Sequence, residues 1–151
     1  MKVKSERGKM IKNCQIIERK PTVKELFELR RSVEWSIGEI EPFEKGLQNS
    51  LYGVCAVLNG EIIGTARVIG DGSTCFYIQD VIVKPEYQKN GIGLEMMKKV
   101  MEYIKENACS GAIIGLMAAK NKEQFYEKFG FWKRPNEHFG HGMMQFWKKA
   151  D

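Results

Sequence analysis

The chain has 151 residues, enough for one domain with a sizeable core and short for two. Hydrophobic residues make up 43% of it, which excludes wholesale disorder, and no apolar run reaches the length that crosses a bilayer. The formal charge is +5, but the first twelve residues hold Lys2, Lys4, Arg7, Lys9 and Lys12 against Glu6; the rest is near neutral and lacks the basic stripe of a nucleic-acid binder.

The opening segment MKVKSERGKMIKN is charged and has no apolar core, so it shows no secretory signal, and Met10 offers an alternative start. Residues 1–12 are therefore expected to be a basic N-terminal extension and 13–151 a single domain. NCQIIE at 13–18 suits a short strand. Pro21-Thr22 opens a helix in which Val23, Leu26, Phe27 and Arg30 recur at helical spacing. Trp35–Pro42 is expected as a loop, with a short helix from Phe43 to Asn49. YGVCAVL and EIIGTARVI flank Asn59-Gly60, a pair suited to a hairpin turn that needs two positive φ angles. Asp71-Gly72-Ser73 marks the next turn, and TCFYIQDVIV is a third strand, so residues 51–83 are predicted to form an antiparallel meander. Ile92, Met96, Val100 and Ile104 then mark a helix with a wide apolar face. GAIIGLMA at 111–118 suits a buried strand, which a helical crossover makes parallel to the strand at 74–83. A helix over 121–129 ends at Gly130, where a left-handed cap is wanted. Further strands are expected from Phe131-Trp132 and in MMQFWKK, after a loop from Pro135 to Gly142. The four cysteines (Cys14, Cys55, Cys75, Cys109) are widely spaced, without a CxxC pair, and fit reduced thiols in a cytoplasmic protein.

The chemistry concentrates in VIVKPEYQKNGIGLEM, 81–96. Two glycines stand between a strand and a helix, where bare backbone N–H groups and the helix dipole favour an anion. A Walker loop is excluded because neither glycine is followed by Lys-Ser or Lys-Thr. A dinucleotide fingerprint is excluded because Met96 stands where the third glycine belongs, with no acid near Ile113. A plain strand-to-helix turn using glycine for geometry is the remaining structural reading.

The pattern Gln88-x-x-Gly91-x-Gly93 after VIVKPEY resembles motif A of the GCN5-related N-acetyltransferases, the GNAT superfamily. NKEQFYEKFGF at 121–131 resembles that family's second signature, and the element order matches over roughly 13–148. The resemblance implies an α/β (α+β) GNAT fold: a mixed, mostly antiparallel sheet, a central parallel strand pair splayed around the cofactor, and helices on both faces. It also implies acetyl-CoA as cofactor. The N–H groups of Gln88, Lys89, Asn90, Gly91, Ile92, Gly93 and Leu94 would then hold its diphosphate, and Val81 and Val83 would pair with the pantetheine arm. Asn121 would contact that arm, or alternatively cap the 121–129 helix. Tyr126 would face the sulfur and protonate the departing thiolate, or alternatively serve as a core aromatic. The implied activity is acetyl transfer to a primary amine by direct attack in a ternary complex. A small-molecule amine is expected as acceptor; nucleic acid and membrane are not expected as partners, and a homodimer is allowed. Protein lysines or N-termini as acceptors, and a non-catalytic acyl-CoA sensor, are the alternatives.

For the amine's proton, Asp80 is the carboxylate candidate, alongside deprotonation through ordered water; Asp80 can equally pair with Arg67. Trp35, Glu39, Phe43 and His138 are expected to border the acceptor, where rings and carboxylates would suit an amine with an apolar body. His138 and His141 form HxxH without further ligands in sequence, so no metal is expected.

Overall fold

The computed structural model describes residues 11–150. The extension expected at 1–12 lies, but for its last two residues, outside them. The chain divides into two compact units, one ending at Met117 and the other beginning at Ala118.

The first unit is a five-stranded sheet in the order β1-β2-β3-β4-β5 with three helices. Its strands are β1 (Cys14–Ile17), β2 (Tyr52–Leu58), β3 (Glu61–Gly70), β4 (Cys75–Val83) and β5 (Ile113–Leu116). The first four pair antiparallel, and β4 with β5 parallel, as the crossover through α3 (Ile92–Asn107) requires. Asn59 and Gly60 take φ of +50° and +81°, so the hairpin turn forms as its residues demand. Among the described residues no helix is long and apolar enough to cross a membrane.

Helix α1 (Val23–Ser32) begins with a reciprocal cap. Thr22 Oγ1 accepts the Glu25 N–H at 3.2 Å, and Glu25 Oε1 accepts the Thr22 N–H at 3.0 Å. Its apolar side (Val23, Leu26, Phe27, Leu29) is buried together with Leu47, Cys55, Ile62 and Ile82. Helix α2 runs Ile40–Gln48. It starts three residues earlier than the expected Phe43, because Pro42 falls inside the first turn. There a missing N–H costs nothing, so that proline belongs to the helix rather than to a loop.

Helix α3 covers the other face, burying Ile92, Met96, Met97, Val100 and Ile104. Its contact with the sheet is close: a Cβ on Gly64 would lie 2.9 Å from Ile82 O and 3.2 Å from Met96 Cε.

In the second unit α4 (Glu123–Glu127) is shorter than the expected 121–129, and Gly130 takes the left-handed φ of +88°. The two strands expected after it do not form: no strand follows β5 among the described residues. The parallel pair therefore lies at the sheet's edge rather than its centre. A strand satisfies its backbone only through a neighbour, and an apolar run such as MMQFW does not supply one. Met143, Met144, Phe146 and Trp147 are accordingly exposed.

Candidate functional site

The loop after β4 is a short 3-10 turn (Pro85–Tyr87) leading to α3. Its shape is held by side chains. Gln88 Nε2 donates to Val83 O at 2.9 Å, and Asn90 Nδ2 donates to Tyr87 O and Gln88 O, both at 3.0 Å. Lys89 and Gly91 take φ of +63° and +78°, and Gly91 is the residue that precedes the helix. The first N–H claimed inside the helix is that of Glu95, donating to Gly91 O at 3.1 Å. The N–H groups of Ile92, Gly93 and Leu94 therefore stand without an internal acceptor, at the positive end of a sixteen-residue helix dipole. This end has the donors and the polarity an anionic diphosphate requires.

The same end of β4 carries an unpaired edge. β5 pairs with β4 only from Cys75↔Ile113 to Ile78↔Leu116, while β4 continues to Val83. Val81 thus has no β5 partner. Val83 has none either, and its carbonyl is already engaged by Gln88. On the β3 side, Thr65 pairs with Ile82 and Arg67 with Gln79, so Asp80 and Val81 together oppose Ala66 in a β-bulge. Asp80 takes φ of +54°, a left-handed conformation that Asp tolerates better than most residues. The extra residue exchanges the faces of the strand. Phe76, before the bulge, lies edge-on to Tyr103 of α3, whereas Ile82, after it, packs with α1.

The bulge carries the Asp80 carboxylate to the side of α1, where it is fully buried. Arg30 Nη1 donates to Oδ1 and Arg67 Nε to Oδ2, both at 2.9 Å. Arg67 Nη1 also donates to Ser50 Oγ at 3.0 Å, and Arg30 Nε to Ser36 O at 2.7 Å. The Arg30 guanidinium lies over Trp35 and Phe43, 5.9 and 5.3 Å from the ring centroids. The two rings proposed for a substrate amine are thus occupied by a protein cation. Glu39, expected beside them, is exposed at the start of α2 and makes no side-chain cap. Tyr77, on β4 next to this cluster, has its phenol pushed up mainly by burial, opposed by a hydrogen bond from the Met117 backbone and reinforced by the Asp80 charge.

In the second unit Asn121 is exposed with φ of +68°, and Lys122 rather than Asn121 occupies the N-cap of α4. Tyr126 is buried, its ring edge-on to Phe125 at 5.0 Å and to Phe131 at 6.4 Å. Burial pushes its phenol up to about 12. The Tyr126 hydroxyl makes no hydrogen bond to another of the described residues. His138 is exposed; its Nε2 lies 2.8 Å from Glu137 Oε1 and its backbone N–H donates to Asn136 Oδ1.

The family model described as the Acetyltransferase (GNAT) family matches residues 20–131, which take in the β4 edge, the α3 N-terminus and α4. The chain belongs to the GNAT family. An uncharacterized ycf52-like N-acetyltransferase of Prochlorococcus marinus is 33% identical over 74% of this GNAT chain, and an uncharacterized N-acetyltransferase ycf52 of Pyropia yezoensis is 28% identical over 74%. These matches span only 63% and 66% of the relatives' own lengths. Among solved structures, a Staphylococcus aureus protein of unknown function superposes with a TM-score of 0.80 at 34% identity, over 89% of this chain and 99% of that one.

Within this GNAT chain, sequence reasoning paired Asp80 with Arg67 but did not foresee Arg30 or Ser50. Arg30 reads as one more residue of an amphipathic helix. Only a contact across fifty residues reveals its role.

Proposed function

We propose that this GNAT chain is an N-acetyltransferase that moves the acetyl group of acetyl-CoA onto a primary amine of a small molecule, by direct attack within a ternary complex. The observation that carries the reading is the N-terminus of α3 behind a left-handed Gly91, whose first N–H groups have no partner among the described residues, beside a β4 edge that β5 leaves unpaired. When bound, acetyl-CoA supplies the activated acetyl thioester. The N–H groups from Lys89 to Leu94 would bind its diphosphate, whereas that of Gln88, expected to join them, already donates to Pro85 O at 3.3 Å; the Val81 backbone, which has no β5 partner, would align its arm. Asn121 and Tyr126 are assigned by their match to the family pattern, Asn121 to the arm and Tyr126 to the sulfur. A phenol raised to about 12 stays protonated at neutral pH, which suits it to give a proton to the departing thiolate. Asp80 has both oxygens bound to guanidinium and is fully buried, so we assign it to holding the bulge and give the amine's proton to ordered water. The free thiols of Cys14, Cys55, Cys75 and Cys109 fit a cytoplasmic setting.

The test is thermal unfolding with acetyl-CoA, followed by thiol release with a panel of amines. A ligand at a hundred times its Kd adds about 2.7 kcal/mol, which for a chain of this size raises Tm by roughly 5–11 °C. No shift at millimolar acetyl-CoA removes the cofactor reading. A shift without thiol release for any amine makes the chain a sensor, and release with protein lysines alone makes it a protein acetyltransferase.

A further inference from the structure

We propose that the acceptor carries an anionic group, a carboxylate or a phosphate, and that Arg30 and Arg67 bind it. This rests on the acetyl-transfer reading for the position of the amine, but not for the anion site itself.

The cluster around the β4 bulge holds two guanidiniums against one carboxylate. Neither arginine has a second acidic partner among the described residues, so the cluster keeps one positive charge. The side chains of Arg30 and Arg67 are only 14% and 12% exposed. A surplus charge on side chains this withdrawn is only partly hydrated, so an anion that completes it is favoured.

The donors left over point to an anion. Arg30 uses Nε for Ser36 O and Nη1 for Asp80; Arg67 uses Nε for Asp80 and Nη1 for Ser50 Oγ. On each side chain Nη2 has no protein partner among the described residues, so each guanidinium keeps donor capacity that those residues do not use. A guanidinium is planar, permanently charged and rich in donors, which makes it the group best suited to bind carboxylate or phosphate. Both are fixed in advance: Arg30 by the Trp35 and Phe43 rings, Arg67 by Ser50, whose hydroxyl donates to Gly46 O at 2.8 Å. That rigidity lowers the entropic cost of binding.

The position suits an acceptor. Asp80, between the guanidiniums, directly precedes Val81 on the unpaired stretch of β4, the stretch assigned to the reactive arm of the cofactor. An anion on the arginines would thus be held by the cluster whose carboxylate adjoins that edge in sequence. The cluster also disfavours the opposite charge pattern. A cationic acceptor would meet two guanidiniums, and the rings that would stabilise it already stack on Arg30.

The experiment uses the full chain and matched pairs of amines. Amino acids are compared with their carboxamides, and aminoalkyl phosphates such as O-phosphoethanolamine with the parent amino alcohols. Binding is read by calorimetry and thermal shift with coenzyme A present, and turnover by thiol release from acetyl-CoA. The expected result is at least a tenfold advantage for the anionic member in Kd and in KM, the carboxylate and phosphate arms showing which anion is preferred. Arg30→Gln and Arg67→Gln should remove that advantage and leave coenzyme A affinity unchanged, with Arg30→Lys restoring part of it. If either variant fails to fold, the wild-type pairs decide alone. Pairs equal within a factor of two, or better binding by the neutral members, overturn the proposal. Anion binding without thiol release for any amine supports the site and rejects acetyl transfer.

Discussion

Replacing Asp80 by Asn separates a base from a brace. Asn has nearly the same shape and also tolerates a φ of +54°, so the bulge geometry can persist while the charge is lost. What changes is that the Arg30 and Arg67 guanidiniums, each 2.9 Å from a carboxylate oxygen, lose their counter-ion. Removing one member of a buried ion pair costs about 3–5 kcal/mol. Arg30 and Arg67 retain 14% and 12% exposure and can recover some hydration, which places the cost near the lower end, at about 3 kcal/mol. At roughly 2–4 °C per kcal/mol for a chain of this size, Tm should fall by about 6–12 °C. The assay is thermal unfolding by circular dichroism, with kcat for the best acceptor measured on the same preparation below the transition. As a brace, Asp80 lost to Asn costs mainly stability, with turnover falling only as far as the bulge loosens. If Asp80→Asn melts within about 2 °C of wild type and loses a hundredfold or more in kcat, in the range of general-base contributions (~10²–10⁴), Asp80 is the base and its assignment to the bulge is wrong.

Gly93→Ala adds a Cβ in the first turn of α3, tilted toward the helix N-terminus where the diphosphate is assigned. Alanine should leave stability unchanged or raise it by up to about 1 kcal/mol of helix propensity, while acetyl-CoA affinity by calorimetry falls at least ~10-fold, which is about 1.4 kcal/mol; unchanged affinity would move the anion elsewhere. Tyr126→Phe should lower kcat and kcat/KM together by about 10²–10⁴-fold with little change in Tm at pH 7; near wild-type kcat takes Tyr126 out of the mechanism. The same variant has a signature in alkali. A phenol raised from its ordinary ~10 to about 12 stabilises the fold below pH ~10 and loses that contribution as pH rises toward 12. Wild type should therefore lose more stability over that window than Tyr126→Phe, and parallel pH profiles by denaturant titration would contradict the burial of the phenol. Removing residues 1–9, which carry charge without apolar periodicity, should leave both Tm and acetyl-CoA binding unchanged; a clear loss of either shows that the segment serves the fold.

Local chemistry made much of this protein legible in its sequence. Asn59-Gly60 could turn only with two positive φ angles, and it does. The four-residue recurrence of Ile92, Met96, Val100 and Ile104 named the buried face of α3, and a helix between two strand-like runs implied the parallel β4–β5 pair. The two glycines of 88–93 marked the bare helix end because φ and backbone access are properties of single residues. Tertiary structure decided the rest. A β-bulge adds one residue that no alternation rule anticipates, so Phe76 and Ile82 face opposite layers although both are even-numbered. Trp35 and Phe43 are covered by Arg30 of α1, and Asp80 is held by arginines thirteen and fifty residues away. The strands expected near Phe131 and Phe146 depend on a neighbouring edge, which no run of apolar residues carries within itself. Charge is written in the sequence; which charges meet, and which donor is left over, is set only where the chain folds back on itself.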